Sequence, residues 1–209
     1  MDFPTAFKVT YQILSERSDL KAMTKKNHAK HLQAVDNNAR LLFPLAFQGQ
    51  EVIGLAVTNS HWRIQVVEPY KEFLFTAIKR TEALDLDSRV AFHEGRLEDF
   101  EESGFPAAFS TLAPNLMDAA ERKAYFAGLA GKVAPGGRLT LTALFSDTEA
   151  MEAWKAEGPE VAKDVEDLLK VAQPLDRAAL VAELEGLGFT QHWSWGKNRM
   201  LEVLHFKKG

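Results

Sequence analysis

The chain has no cysteine. That excludes a disulfide framework, a thiolate nucleophile and a cysteine-based zinc site. No apolar run approaches the roughly twenty residues needed to span a bilayer. Met1-Asp2-Phe3-Pro4 lacks the basic and then apolar pattern of a secretory signal, so a cytoplasmic protein with no membrane partner is expected. Neither sign of charge dominates. Lys and Arg number 25 against 29 Asp and Glu, a net of −4 that points away from nucleic acid as a partner. Catalytic signatures are scarce too. There is no Gly-x-Ser-x-Gly elbow, no His-Glu-x-x-His helix and no Gly-Lys-Ser/Thr phosphate loop.

What is present is alternation. Residues 1–38 are polar with helical spacing of Ile13, Leu14, Leu20, Met23 and Leu32, which predicts two short helices forming a cap. From Ala39 onward, strand-like and helix-like segments take turns. Leu41–Leu45, Trp62–Glu68, Arg89–His93, Ala107–Leu112 and Arg138–Phe145 read as strands, and Pro44 fits only where pairing stops. Gln50–Thr58 and the segment carrying Tyr70, Phe73, Leu74, Ala77, Ile78 and Leu84 read as helices. Asp118 and Glu121 have capping-box spacing at the start of another, and Pro135-Gly136-Gly137 stops it. Thr148–Val171 is a polar helical stretch, and Leu175–Leu187 a further helix. Thr190–Trp195 and Met200–Phe206 flank Gly196-Lys197-Asn198, a hairpin signal. The expected fold is α/β: a Rossmann-like open, mostly parallel seven-stranded sheet with helices on both faces and an antiparallel C-terminal hairpin edge. One domain, 1–209, is expected, with 1–38 as helical cap and 39–209 as α/β core.

Glu68 is the most informative residue. A strand, a turn at Gln48-Gly49, a helix and a second strand ending in an acid form the unit that grips the ribose of a nucleotide-like cofactor. The turn, however, lacks the glycines that such sites normally use.

Five alternating units, the acid after the second strand, the Pro-Gly-Gly turn before the fifth and a closing helix–hairpin resemble the class I S-adenosylmethionine-dependent methyltransferases. Leu129 to Leu139 is similar to that family's entry into the fifth strand, and Leu180 to Phe189 to its helix before the sixth. Leu42-Phe43-Pro44-Leu45-Ala46 followed by Leu55-Ala56 is similar to the thiopurine methyltransferase branch, with Ala46-Phe47 where a Cys-Gly pair is expected and Glu51 standing for an aspartate. The resemblance implies S-adenosylmethionine as cofactor, S-adenosylhomocysteine as product and a small-molecule acceptor. A homodimer is left open. Leu45, Ala46, Phe47 and Gly49 would then face the methionine portion, and Glu68 with Pro69 would hold the ribose. Arg96 and Leu97 would meet the adenine, and Leu112 and Ala113 would line the methyl path. No catalytic residue or metal ligand is assigned.

The leading expectation is a small-molecule methyltransferase, and two departures motivate an alternative, a catalytically inactive methyltransferase-like protein that binds or scaffolds. Phe47 stands where small residues let the backbone approach a ligand: its ring either blocks the pocket or points into the core, leaving Gly49 as the close-approach residue. Arg96 stands where an acid would accept from the adenine amino group, and a guanidinium only donates. A nicotinamide-dependent oxidoreductase shares the ribose acid but wants a Gly-x-Gly-x-x-Gly turn that is missing. His28 and His31, among Lys25, Lys26 and Lys30, read as a solvated basic face. Ser110 and Asn115 read either as substrate-orienting groups or as turn caps. Trp193 and Trp195 read as core or edge packing.

Overall fold

In the computed structural model, residues 1–17, Leu20, Leu32, 35–198 and 200–209 are described. The expected pair His28 and His31, and the second N-terminal helix, lie outside them. Helix α1 spans Phe3–Arg17. The alternating part follows as β1 (Arg40–Pro44), α2 (Gln50–Thr58), β2 (Arg63–Glu68), α3 (Lys71–Glu82), β3 (Val90–Glu94) and β4 (Phe105–Thr111). Then come α4 (Ala119–Lys132), β5 (Val133–Leu144), α5 (Thr148–Lys155), α6 (Pro159–Val171), α7 (Arg177–Gly186), β6 (Phe189–Asn198) and β7 (Leu201–Lys208).

The strands form one seven-stranded sheet in the order β3-β2-β1-β4-β5-β7-β6. The first five are parallel, and β7 runs antiparallel between β5 and β6. Strand periodicity explains how the sheet is buried twice. Leu42, Val67 and Ala108 face one apolar cluster, together with Phe126 and Leu129 of α4 and Leu180 and Leu184 of α7. Leu41, Phe43, Ile64, Val66, Ala107 and Phe109 face the other, with Val52, Leu55 and Ala56 of α2. Strand order reverses between β1 and β4, and the crevice for a ligand in such a sheet lies above that point, at the strands' carboxyl ends.

Local chemistry accounts for most boundaries. Pairing of β1 with β4 ends at Leu42, while pairing with β2 runs through Pro44, so proline's missing N–H costs no ladder bond. Asp118 accepts from the N–H groups of Ala120 and Glu121, and Glu121 reaches back to the Asp118 N–H, a complete capping box for α4. Three expectations are corrected. Strand β5 starts at Val133, five residues before the expected Arg138, so Pro135-Gly136-Gly137 lies within it at a register shift against β4. There a Cβ on Gly137 would come within 2.7 Å of the Ala134 carbonyl oxygen, which only glycine avoids. The stretch Thr148–Val171 is two helices, divided where Gly158 precedes Pro159 at the first position of α6. Strand β6 runs through Gly196-Lys197-Asn198 to its end at Asn198, so the hairpin does not turn at that tripeptide.

No helix of the described residues is long and apolar enough to cross a membrane.

Candidate functional site

The turn after β1 decides the site. Leu45, Phe47 and Gly49, at alternate positions, all take left-handed backbone with φ of 57°, 51° and 75°. Glycine adopts this conformation freely, whereas each L side chain there costs on the order of 1 kcal/mol. The backbone path of a glycine-rich turn is thus kept while two of its three glycine-like positions carry large side chains. Such strain persists only where surrounding contacts over-determine it. Those contacts are on hand. The Phe47 ring stacks on Phe7 of α1 and meets Phe73 of α3 edge-on with centroids 5.6 Å apart. Phe3 stacks in turn on Tyr70 at 5.0 Å. A Cβ on Gly49 would lie 3.0 Å from the Ala77 Cβ, so Gly49 serves the contact with α3.

Glu68 closes the same turn from the side of β2. It is 1% exposed. Its Oε2 accepts the Phe47 N–H at 3.0 Å and its Oε1 the Tyr70 N–H at 3.1 Å. Burial pushes its carboxyl up to about 7, against the pull of those two donated bonds. The side chain expected to hold a ribose thus clasps two loops through its two oxygens.

Two cavities flank this clasp. The first, about 360 Å³, opens above the ends of β1 and β2. It gathers Leu45, Pro69, Arg96 and Leu97 from the expected set and adds Phe3, Tyr70, Met117, Glu121 and Tyr125. Arg96 reaches Glu98 at 3.4 Å on its rim. The second, about 340 Å³, lies between α1 and the start of α2 and takes in Ala46 and Phe47 with Phe7, Tyr11, Glu51 and Thr111. In it the Thr111 hydroxyl donates to Glu51 Oε2 at 2.8 Å, and burial raises the Glu51 carboxyl to about 7. The Tyr11 hydroxyl donates to Gln50 Oε1 at 2.9 Å.

Leu112 and Ala113 are fully buried and take part in packing. Ser110 is buried and accepts from the Tyr125 hydroxyl at 2.9 Å. Asn115 is spent on backbone: Nδ2 donates to the Leu144 and Gln173 carbonyls, and Oδ1 accepts the Leu144 N–H. Trp193 packs on His205 with ring centroids 4.9 Å apart, and Trp195 lies against the main core. Among the described residues no cluster of acids and histidines could hold a metal. The sequence did carry a signal for the α1 residues: Phe3, Phe7 and Tyr11 recur every fourth position, one stripe of a helix.

No protein-family model matches the chain, and no curated protein does. Solved structures do. The [4+2]-cyclase SpnF superimposes with a TM-score of 0.69 at 14% identity, over 88% of this chain and 81% of that one. The geranyl diphosphate C-methyltransferase of Streptomyces coelicolor A3(2), determined with Mg²⁺, geranyl diphosphate and S-adenosyl-L-homocysteine, gives 0.70 at 10% identity over 96% and 84%. The mitomycin 7-O-methyltransferase MmcR gives 0.69 at 13%, and this chain spans 60% of its length. The chain also spans 58% of an O-methyltransferase family protein from Burkholderia thailandensis. At such identities the likeness concerns architecture. The chain has the class I S-adenosylmethionine-dependent methyltransferase fold.

Proposed function

We propose that this chain uses the methyltransferase fold to bind a small, flat, largely apolar molecule in its first cavity, and that it does not turn over S-adenosylmethionine. One observation carries the reading. On the turn that would receive the cofactor's amino-acid portion, the Phe47 N–H is already bonded to Glu68, and the Phe47 ring is packed against Phe7 and Phe73. The fold implies that cofactor, and the fit divides in two. Leu97, Pro69 and Tyr70 offer an apolar wall suited to a planar ring. The methionine end meets aromatic side chains, and the carboxylate for the ribose is 1% exposed. A donor-only guanidinium at Arg96 adds to the mismatch.

The fold neighbours favour a second reading, an S-adenosylmethionine-dependent methyltransferase with a small-molecule acceptor. It would need the Phe3, Phe7 and Phe47 stack to leave the turn. Against taking chemistry from fold alone, one neighbour is named for a [4+2] cyclisation.

Calorimetry separates the two. An amino-acid tail adds affinity only where it has a subsite. Adenosine should therefore bind at least as well as S-adenosylhomocysteine, and Phe47→Gly should not create affinity for the latter. Tighter binding of S-adenosylhomocysteine by the wild type, abolished in Glu68→Ala, would establish the methyltransferase reading instead. Light scattering on the same samples tests for a homodimer.

A further inference from the structure

Helix α4 forms one wall of the first cavity, opposite the single turn Leu97–Asp99. Glu121, Ala124, Gly128 and Lys132 recur three or four residues apart, so they share one face of that helix. Glu121 and Ala124 line the cavity beside Tyr125, and the Lys132 ammonium at the far end of the face donates to the Phe100 carbonyl. Gly128 lies between them, against Leu97. A Cβ on it would meet the Leu97 Cδ2 at 3.4 Å and the Leu97 Cγ at 3.5 Å. An alanine there would just touch Leu97, and any longer group must push it. Gly131 differs, since a Cβ on it would have nothing within 4 Å. A glycine inside a helix destabilises it relative to alanine, so position 128 asks for a reason.

We infer that Gly128 is a positioning residue of the first cavity: without a side chain of its own, it lets Leu97 seat against α4 and leaves depth for a planar ligand of two rings. Side chains on a helix point toward its N-terminus and cover the preceding turn. A leucine at 128 would therefore extend over Ala124 and Tyr125, which line the cavity, and displace Leu97, which lines it too. Leu97 has little room to retreat. It is 5% exposed, and its turn is closed by the Asp99 N–H donating to the Arg96 carbonyl at 3.2 Å and the Phe100 N–H donating to the Leu97 carbonyl at 3.3 Å. At about 360 Å³ the cavity is near the small end for ligand pockets, so one intruding side chain decides between one ring and two. This role rests on the ligand-binding reading above and adds the size of ligand that the cavity takes.

Adenosine and uridine carry the same ribose and differ in base size, two rings against one, and both are titrated calorimetrically into the full chain. The wild type should bind adenosine more tightly than uridine. Gly128→Ala should leave both affinities within about twofold. Gly128→Leu should weaken adenosine at least tenfold and uridine less than threefold. The double variant Gly128→Leu/Leu97→Ala gives the added side chain room and should recover most of the adenosine affinity, which a general loss of structure would not. Should the leucine variant not fold, Gly128→Met, longer and more flexible, carries the same expectation. Equal wild-type affinities, equal losses for the two nucleosides, unchanged adenosine binding in the enlarged variants, or no recovery in the double variant would overturn the role of Gly128 while leaving the ligand reading in place. A wild type that binds neither nucleoside would overturn both.

Discussion

The carboxylate of Glu68, at the end of β2, accepts the backbone N–H of Phe47 at 3.0 Å and so fixes the turn leaving β1 in a left-handed path. The acid in the position expected of a ligand-holding group also ties the scaffold together. Replacing it shows how much the scaffold depends on it. Glu68→Ala leaves two N–H donors without their partner in a buried place and should cost about 2–4 kcal/mol. Urea unfolding measures this. A loss under 1 kcal/mol would mean that the carboxylate is not the clasp.

Stability should fall as pH rises from 5.5 to 8. Glu51 and Glu68 are both raised from an ordinary 4.5 to about 7 by burial, so the folded chain holds these protons more tightly than the unfolded chain. Where the folded state binds more protons, stability declines with pH. The contribution is whole below pH 4.5 and is lost as pH passes through 7, on the order of 2 kcal/mol per group. Urea midpoints at the two pH values test this, and the double variant Glu51→Gln/Glu68→Gln should flatten the slope.

Asn115 ties three segments together: its own turn after β4, the end of β5 at Leu144 and the chain after α6 at Gln173. Asn115→Ala should cost about 3 kcal/mol. Asn115→Asp should cost more, because a carboxylate would then face two carbonyl oxygens. Thermal melts of both variants check the order. Equal losses would show that the two donated bonds carry little.

Asp85, past the end of α3, is exposed with φ of 55°. Asp85→Gly should relieve that conformation and raise stability by up to about 1 kcal/mol, despite glycine's looser unfolded chain. A lowered melting temperature would count against the strain assigned to this position.

The order of elements was legible in the chain. Helix α2 falls on the expected Gln50–Thr58, and the capping box at Asp118 and Glu121 forms as spaced. Boundaries failed where backbone chemistry gave mixed signals, as at Pro135-Gly136-Gly137, which reads as a stop yet sits inside β5. Four of the ten expected site residues share one cavity: Leu45, Pro69, Arg96 and Leu97. Ala46 and Phe47 lie on the other, while Glu68, Gly49, Leu112 and Ala113 went into clasp and packing. Glu51, met only as a stand-in for an aspartate, lines the second cavity with Thr111 donating to it.

By itself the sequence determined the sheet, because side-chain alternation with period two and helix spacing near 3.6 are local properties that sum along a segment. It also determined that an acid would stand after β2. Which way that acid turns was decided only in three dimensions. Its partner, the Phe47 N–H, is 21 residues away, and the Phe47 ring is held by helices α1 and α3. A hydrogen bond chosen between a ligand and a distant backbone group depends on packing that no local pattern encodes.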